Sequence, residues 1–92
     1  MKIGYQTKLV KFFSRENCPN CPPAKEVAEE LRKRGIVVQY FDVDTVDGRA
    51  EAMFYDVMGT PSTVLVDEKG NELMSWRGRV PDKQALLSAF EE

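Results

Sequence analysis

Apolar and polar residues follow two different periodicities along this chain, and each change of period marks a predicted element. A short apolar run in residues 8–14 is typical of a strand. The helical spacing that begins at Ala24 predicts a helix that Gly35 ends. The face of this helix that we expect to be buried carries three apolar side chains: Val27, Ala28 and Leu31.

Two further elements follow in the middle of the chain. Residues 36–43 are β-branched and aromatic, which predicts a buried strand. After a polar turn over residues 44–48, an apolar pattern over residues 49–58 predicts a helix that Gly59 ends. We expect five side chains on one side of this helix to pack in the core rather than to bind a cofactor: Ala50, Met53, Phe54, Val57 and Met58.

The last third of the chain predicts a hairpin and a final helix. The turn signal of residues 67–70 joins two apolar strands, at 62–66 and 71–76. The last helix starts around Pro81 and carries three side chains on its buried side: Leu86, Leu87 and Phe90.

The predicted order of elements is therefore β-α-β-α-β-β-α. A strand, a helix and a strand in succession favour a parallel crossover, whereas the tight turn at Gly70 favours an antiparallel pair. A four-stranded mixed sheet with helices on both faces, an α/β architecture, satisfies both conditions. We see no internal repeat or linker, so we expect residues 1–92 to form a single domain.

The amino-acid composition and the net charge exclude several kinds of partner, catalytic site and metal site. The 92 residues carry a net charge of −2, two cysteines and no histidine. This charge argues against nucleic acid or a membrane as the partner, and the lack of histidine excludes imidazole-dependent triads and histidine-ligated metal sites. Because no apolar run is long enough for a signal peptide or a membrane span, we expect a cytoplasmic protein. In that compartment a lone cysteine pair is more often catalytic or metal-binding than structural.

The two cysteines lie between the first strand and the first helix, in the sequence Cys18-Pro19-Asn20-Cys21. Unpaired N–H groups and the positive end of the helix dipole stabilise a thiolate there, and the thiolate is the species that attacks disulfides. Cys18 precedes the helix and is expected to be exposed, so we assign it as the nucleophile. Cys21 lies in the first turn and is assigned as the resolving thiol.

The start of this helix is left open by Pro22 and Pro23. Proline fits the first turn of a helix that begins at Cys21 or Pro22, whereas a helix that begins at Pro19 would lose backbone hydrogen bonds at both prolines. The later start places Cys18 a turn away from the dipole and weakens the stabilisation of its thiolate.

Metal binding is the alternative to a redox role for the cysteine pair. Two cysteines are half of a zinc site, or they hold an iron–sulfur cluster at a dimer interface, which would make the protein a carrier rather than an enzyme. We expect no metal and no cofactor, and we interpret three aspartates as solvated turn and strand-end residues: Asp42, Asp44 and Asp47. Lys8 and Lys11 are also expected to be solvated, at the flanks of the first strand.

These features resemble the thioredoxin and glutaredoxin superfamily over nearly the whole chain. The resemblance rests on the segments LVKFF, CPNC, AKEVAEEL, VVQYFDVD, VMGTPSTVLVDEKGNEL and SWRGRVPDKQALLSAF. It implies a thioredoxin-like fold and a thiol–disulfide oxidoreductase that reduces protein disulfides. It also implies that Pro61 is held cis opposite the cysteines and that Thr60 offers its backbone to a substrate peptide or glutathione. Pro19 and Asn20 would belong to the same substrate-binding site.

The motif and the C-terminal segment resemble different branches of the superfamily. Cys-Pro-x-Cys and the short length resemble a glutaredoxin, but residues 76–79 replace the Gly-Gly-x-Asp type segment with which glutaredoxins hold glutathione. Phe12 stands where thioredoxins carry a buried aspartate, and Tyr40 stands near the position of a family lysine, so solvent or substrate would take the proton of Cys21. The composite resembles small glutaredoxin-like proteins of bacteria and archaea that behave more like thioredoxins.

The resemblance also implies partners. The substrates would be disulfide-containing proteins, with ribonucleotide reductase as one candidate, and the electron donor would be a reductase or glutathione. The alternative within the same class is a glutathione-dependent glutaredoxin. We expect a monomer with a role in electron transport and cell redox homeostasis.

Overall fold

The computed structural model describes residues 8–90 and confirms the predicted order of seven elements. The four strands are β1 (Leu9–Ser14), β2 (Val38–Asp42), β3 (Ser62–Val66) and β4 (Glu72–Arg77). The three helices are α1 (Cys21–Lys33), α2 (Val46–Phe54) and α3 (Lys83–Ala89). No helix within the described range is long and apolar enough to cross a membrane.

The four strands form one mixed sheet in the order β2-β1-β3-β4. Strand β1 runs parallel to β2 and antiparallel to β3, and β3 runs antiparallel to β4. Ser14 at the end of β1 pairs with Asp42, and Phe13 pairs with Ser62. The end of β1, the end of β2 and the start of β3 therefore meet at one edge of the sheet.

Helices cover both faces of the sheet, as predicted, because successive side chains of β1 point in opposite directions. Phe12 packs against Ala24 and Ala28 of α1 on one face, whereas Phe13 packs with Ala52 of α2 on the other. The first face also contains an apolar cluster in which α1 and α3 cover the sheet: Val10, Leu31, Ile36, Leu65, Trp76, Leu86 and Phe90.

The prediction that residues 36–43 form a buried strand is wrong for most of its length. Ile36 and Val43 are buried, but β2 between them is an edge strand with Gln39 and Tyr40 exposed. Only its side next to β1 is paired, so aromatic and β-branched residues occur here without full burial. The inner strand β3 is the one that is buried at every position.

The prediction for the second helix is also wrong, both in its bounds and in its buried face. Helix α2 ends at Phe54, and Asp56 then takes a left-handed conformation with φ of 58°. This turn directs Val57 into the core, as predicted, but outside the helix. The remaining large side chains of the predicted face are exposed, at 72% for Met53, 77% for Phe54 and 92% for Met58. Ala50 is exposed as well.

Lys8, just before β1, and Lys11, within it, were expected to be solvated at the flanks of the strand, but both make contacts inside the fold. Lys11 forms an ion pair with Glu51 of α2, with the ammonium 2.7 Å from the carboxylate. Lys8 donates to the carbonyl oxygen of Ala89 in α3 at 2.8 Å. The two side chains therefore connect β1 and the residue before it to helices that cover the sheet.

Candidate active site

The two cysteines form a disulfide beyond the end of β1, and their Cα atoms lie 5.3 Å apart. A short loop separates them from the strand, and Asn17 in this loop takes a left-handed conformation with φ of 60°. Cys18 is partly exposed, whereas Cys21 is 7% exposed. Their burial agrees with the predicted order, in which the first cysteine is the more accessible one.

Helix α1 begins at Cys21, which settles the question that the two prolines left open. The N–H of Cys21 donates to the carbonyl oxygen of Cys18 at 3.2 Å, and the N–H of Ala24 donates to that of Asn20 at 3.3 Å. Pro22 and Pro23 between them carry no N–H. The expected row of unpaired N–H groups is therefore absent from residues 21–24, and the dipole remains as the helix's contribution to thiolate stability.

Pro19 and Asn20 form the exposed bridge between the cysteines. Asn20 is the N-cap residue of α1, but its side chain makes no capping hydrogen bond. Its amide is therefore not committed to the helix end. The structure thus brings both residues to the surface that a substrate approaching Cys18 would meet.

An open groove of about 470 Å³ contains both cysteines. Lys25 and Asp42 also line this groove, and sequence reasoning did not select either of them for the site. Lys25 lies one helical turn after Cys21, which places it on the same side of α1. Asp42 arrives through the pairing of β2 with the end of β1. The position of Lys25 could have been inferred from its spacing from Cys21 in the sequence. The position of Asp42 could not, because it depends on the register between β1 and β2.

The strand residues that lie beneath α1 near the cysteines are aromatic. Phe12 is fully buried against the helix, and its ring meets that of Tyr40 edge to face, with centroids 5.9 Å apart. The Tyr40 hydroxyl donates to Glu29 at 2.9 Å. Burial raises the pKa of Tyr40, and hydrogen bonds from Arg32 and then Tyr40 lower the pKa of Glu29. The two positions where the resemblance expects an aspartate and a lysine therefore form an aromatic pair.

Pro61 lies at the same edge of the sheet as the cysteines, and the Thr60–Pro61 peptide bond is cis. Continuing the register of β1 and β3 places Pro61 opposite Ser14. Its carbonyl oxygen accepts from the N–H of Gly78 at 2.8 Å, and the Ser62 hydroxyl donates to the Gly59 carbonyl oxygen at 2.7 Å. These bonds fix the segment on both sides of Pro61.

Thr60 keeps its backbone groups free of partners within residues 8–90. No hydrogen bond there involves its N–H or its carbonyl oxygen. Its neighbours on both sides are held, so the free groups have a fixed position at the edge of the sheet. Such a backbone segment is the kind that an extended peptide pairs with.

A second, smaller cleft of about 120 Å³ lies between α2 and the segment before Pro61. Arg15 lines both this cleft and the groove that contains the cysteines. The other residues that matter at its rim are Arg49, Met53, Met58 and Thr60. Sequence reasoning assigned both methionines to the core and so did not find this cleft.

In the segment at residues 76–79, Trp76 and Arg77 make contacts with other parts of the fold. The guanidinium of Arg77 forms an ion pair with Glu72 at 2.8 Å and donates to the carbonyl oxygen of Tyr55 at 2.7 Å. The hydrogen bond from Arg77 lowers the pKa of Glu72, and the same bond raises the pKa of Arg77. Trp76 packs in the core. The Arg77 cation is thus neutralised within the fold.

Carboxylates near the site serve turns and ion pairs. Asp42 accepts from the N–H of Asp44 at 2.9 Å, and Asp44 lies 3.7 Å from the guanidinium of Arg15. Across residues 8–90, no group of three or more His, Cys, Asp or Glu side chains is arranged to hold a metal ion. Within residues 8–90, a zinc or cluster site would need ligands that this arrangement does not bring together.

Comparison with known families gives a match over most of the chain. The family profile described as a thioredoxin domain matches residues 8–91. A thioredoxin of Methanocaldococcus jannaschii is 30% identical over 86 residues, which cover 90% of this chain and 92% of that protein. A probable thioredoxin of Archaeoglobus fulgidus is 31% identical over 61 residues, which cover 65% of this chain and 67% of that protein.

Solved structures of similar fold agree with this match. A mutant thioredoxin from Halobacterium salinarum has a TM-score of 0.75 and 26% sequence identity, and the alignment covers 96% of this chain and 76% of that one. A thioredoxin from Thermus thermophilus has a TM-score of 0.66 and 26% identity, with 92% of this chain and 72% of that chain covered.

Proposed function

Because this chain belongs to the thioredoxin family and is a protein-disulfide oxidoreductase, we propose that it works as a reductant of protein disulfides, with Cys18 as nucleophile and Cys21 as resolving thiol. One observation carries the proposal. A partly exposed cysteine and a buried one are bonded to each other in an open groove, next to a backbone segment with free hydrogen-bonding groups.

In the first step, the Cys18 thiolate attacks one sulfur of the substrate disulfide. A bond forms between Cys18 and that sulfur, the substrate S–S bond breaks, and the second substrate cysteine leaves as a thiolate that takes a proton. The partial exposure of Cys18 supports its role, since the attacking sulfur must reach a sulfur of another protein.

In the second step, Cys21 attacks the Cys18 sulfur of the mixed disulfide. The 18–21 bond forms, the bond to the substrate breaks, and the remaining substrate sulfur leaves as a thiolate. The substrate gains two electrons and two protons, and the protein ends in the disulfide form. The burial of Cys21 supports its role, because a buried thiol reaches its neighbour more readily than it reaches an outside disulfide.

The free backbone groups of Thr60 support a role in holding the substrate. An extended segment on either side of the substrate cysteine would pair with them as a short antiparallel strand. Pro19 and Asn20 face the same approach and would contact the substrate beside Cys18. This pairing orients the substrate sulfur toward Cys18, which is the positioning that disulfide exchange needs.

Proton transfer at Cys21 would involve solvent or the substrate. Phe12 and Tyr40 supply no carboxylate–ammonium pair beneath the helix. The groove is open, so water reaches its rim, and the charged groups there are Lys25 and Asp42. The leaving substrate thiolate is a second acceptor that arises in the same step.

For re-reduction, a protein reductase is favoured over glutathione. Two observations support this preference: the match to the thioredoxin domain, and the engagement of Arg77 with Glu72 inside the fold. Glutathione-dependent turnover remains the alternative in the same class. The monomeric state, the cytoplasmic location, and ribonucleotide reductase as a substrate stay predictions, as do the roles in electron transport and redox homeostasis.

The decisive experiment compares two cysteine variants in an insulin reduction assay driven by dithiothreitol. We expect Cys18→Ser to abolish activity and to form no adduct. We expect Cys21→Ser to accumulate a covalent mixed disulfide with the substrate, visible by mass spectrometry under non-reducing conditions. Ser88→Ala, an exposed change in α3, serves as the control and should retain full activity. Full activity of both cysteine variants would contradict the proposal.

A second experiment separates the two electron donors. The oxidised protein is mixed either with glutathione and glutathione reductase or with a flavoprotein thioredoxin reductase, and NADPH consumption is followed with insulin present. Faster turnover with the thioredoxin reductase supports the preference stated above. Faster turnover with glutathione would overturn that preference but leave the roles of the two cysteines intact.

A further inference from the structure

Thr63 carries a buried polar group that no step above uses. Its side chain is 1% exposed, and its hydroxyl has no hydrogen-bond partner among residues 8–90. Burying a hydroxyl without a partner costs free energy, and a valine at the same position would avoid that cost. A partner that exists in only one state of the protein would account for the hydroxyl.

The strand register places Thr63 on the face of the sheet that α1 covers. Thr63 pairs with Phe12 on one side and with Trp76 on the other, and directly paired residues point to the same face. Phe12 packs against Ala24, which lies near the start of α1. Thr63 therefore lies beside the contact between β1 and the first part of this helix.

Cys21 belongs to the same layer and lies one helical turn before Ala24. Residues three apart on a helix are neighbours, so both side chains are on the side of α1 that packs on the sheet, and both are buried. Cys21 lines the groove together with Ser14, the last residue of β1, which places it toward the edge where β3 begins. Thr63 is the second residue of β3. The buried hydroxyl and the buried sulfur thus lie at the same end of the same layer.

We propose that Thr63 is a positioning residue for the resolving thiol. Its hydroxyl is the hydrogen-bond partner of the Cys21 sulfur in the dithiol form, directly or through one water molecule. The inference rests on the proposed function, in which Cys21 closes the 18–21 bond. Thr63 is buried and does not touch the substrate, so it acts only through Cys21.

The change at Cys21 on reduction explains why the hydroxyl has no partner in the disulfide form. In that form the Cys21 sulfur is bonded to Cys18, which fixes its position. Two electrons and two protons break this bond and give two thiols. The freed side chain of Cys21 then rotates between staggered positions. Its sulfur is a weak donor and acceptor as a thiol, and a charged acceptor as a thiolate.

A partner that exists in only one redox form shifts the equilibrium between the two forms. The hydrogen bond stabilises the dithiol, whereas the unpaired hydroxyl destabilises the disulfide. Thr63 therefore makes the 18–21 disulfide easier to reduce. Thr63→Val removes both effects and should make the disulfide harder to reduce.

The test measures the redox equilibrium of the protein with glutathione. Two glutathione molecules reduce the protein disulfide and leave as glutathione disulfide, and maleimide trapping with mass spectrometry quantifies the two protein forms. We expect Thr63→Val to lower the equilibrium constant for reduction by about two- to tenfold, the contribution of one hydrogen bond. Thr63→Ser keeps the hydroxyl and should stay close to the wild-type value.

Ser14→Ala is the matched control. Ser14 carries a hydroxyl on the same face of the sheet, but it is partly exposed, so water replaces what the substitution removes. We expect a smaller shift for this variant than for Thr63→Val. Urea denaturation of both redox forms provides an independent measure. Thr63→Val should raise the folding equilibrium constant of the disulfide form relative to that of the dithiol form by the same factor.

Three outcomes would contradict the inference. If Thr63→Val changes the stability of both redox forms equally, Thr63 only fills space in the core. If Thr63→Ser shifts the equilibrium as much as Thr63→Val, the cause is packing and not the hydroxyl. If Ser14→Ala gives the larger shift, the partner of Cys21 is Ser14.

The insulin assay separates a failure of this inference from a failure of the proposed function. An unchanged redox equilibrium in a Thr63→Val protein that still reduces insulin removes only the role of Thr63. Full insulin reduction by both Cys18→Ser and Cys21→Ser removes the proposed function as well.

Discussion

The ammonium of Lys11 lies 2.7 Å from the carboxylate of Glu51, which joins the central strand β1 to helix α2. The ammonium also donates to Gln39 at 2.8 Å and lies over the rings of Phe41 and Tyr55, 5.3 and 5.5 Å from their centroids. Only 12% of the Lys11 side chain is exposed. The pair is therefore shielded from solvent far more than an ordinary surface ion pair.

This environment predicts unequal effects for the two halves of the pair. Glu51→Gln leaves a shielded ammonium without its counter-charge and should lower the free energy of unfolding by about 1–3 kcal/mol. Lys11→Met removes the charge together with its desolvation cost and should change stability by less than about 1 kcal/mol. Urea denaturation of both variants, followed by the fluorescence of buried Trp76, measures the difference. Equal losses of unfolding free energy in the two variants would contradict this prediction and would show that solvent screens the ion pair.

Gly48 lies in the first turn of α2, and we expect its replacement by alanine to lower stability although no contact is removed. A Cβ atom on Gly48 would overlap the carbonyl oxygen of Asp42, so Gly48→Ala must displace backbone. We expect it to lower the free energy of unfolding by more than about 2 kcal/mol, although alanine is the better helix former by about 1 kcal/mol. Ala50→Gly, at an exposed position of the same helix, provides the propensity control and should cost about 1 kcal/mol. Thermal denaturation compares the two.

The close approach at Gly48 also explains why the sequence predicted the wrong face for this helix. A pattern of large apolar residues normally marks the buried side, but α2 meets the sheet through Gly48 and Ala52, whose small size lets the backbones come close. Met53 and Phe54 follow the helical spacing on the opposite side. The left-handed turn at Asp56 was not predicted, and only this turn sends Val57 inward.

The Tyr55 hydroxyl predicts a modest and specific contribution to stability. It donates to the carbonyl oxygen of Gly70 at 3.0 Å, which connects the end of α2 to the β3–β4 turn. Tyr55→Phe keeps the ring and removes the bond, so it should cost about 0.5–1.5 kcal/mol in urea denaturation. Tyr40→Phe loses a hydroxyl bond to Glu29 at an exposed position and should cost less. A larger effect at Tyr40 would contradict this ranking.

Alkaline pH should destabilise the protein through the same two tyrosines. Burial is the main cause that raises the pKa of Tyr55 and of Tyr40. Because the folded pKa lies above the unfolded one, the unfolded chain releases its protons first. The stabilisation is complete below about pH 10 and is lost as pH rises through the folded pKa. Urea midpoints between pH 8.5 and 11 measure the decline, which should be shallower in the Tyr40→Phe, Tyr55→Phe double variant.

The candidate site was predictable where chemistry follows local sequence. Cys18 and Cys21 at a strand–helix junction were recognisable from their spacing, and the resemblance supplied the cis bond at Pro61, which the structure contains. Asp42 and Arg49 were not predictable, because strand register and the rotation of α2 bring them to the edge of the sheet. The edge position of β2 was hidden for a similar reason, since composition does not tell which strand lies outermost.

The order of the strands has a consequence for the making of the protein. Strand β1 lies between β2 and β3, so its hydrogen bonds are complete only after Val66 has been added. Val66 follows Leu9 by 66 − 9 = 57 residues, which takes roughly 3–11 s at about 5–20 residues per second. Cys18 and Cys21 belong to the part made early. A growing chain therefore carries two reactive thiols before the fold that controls their reactivity has formed. An oxidant present during synthesis would react with these thiols without the selectivity that the folded site provides.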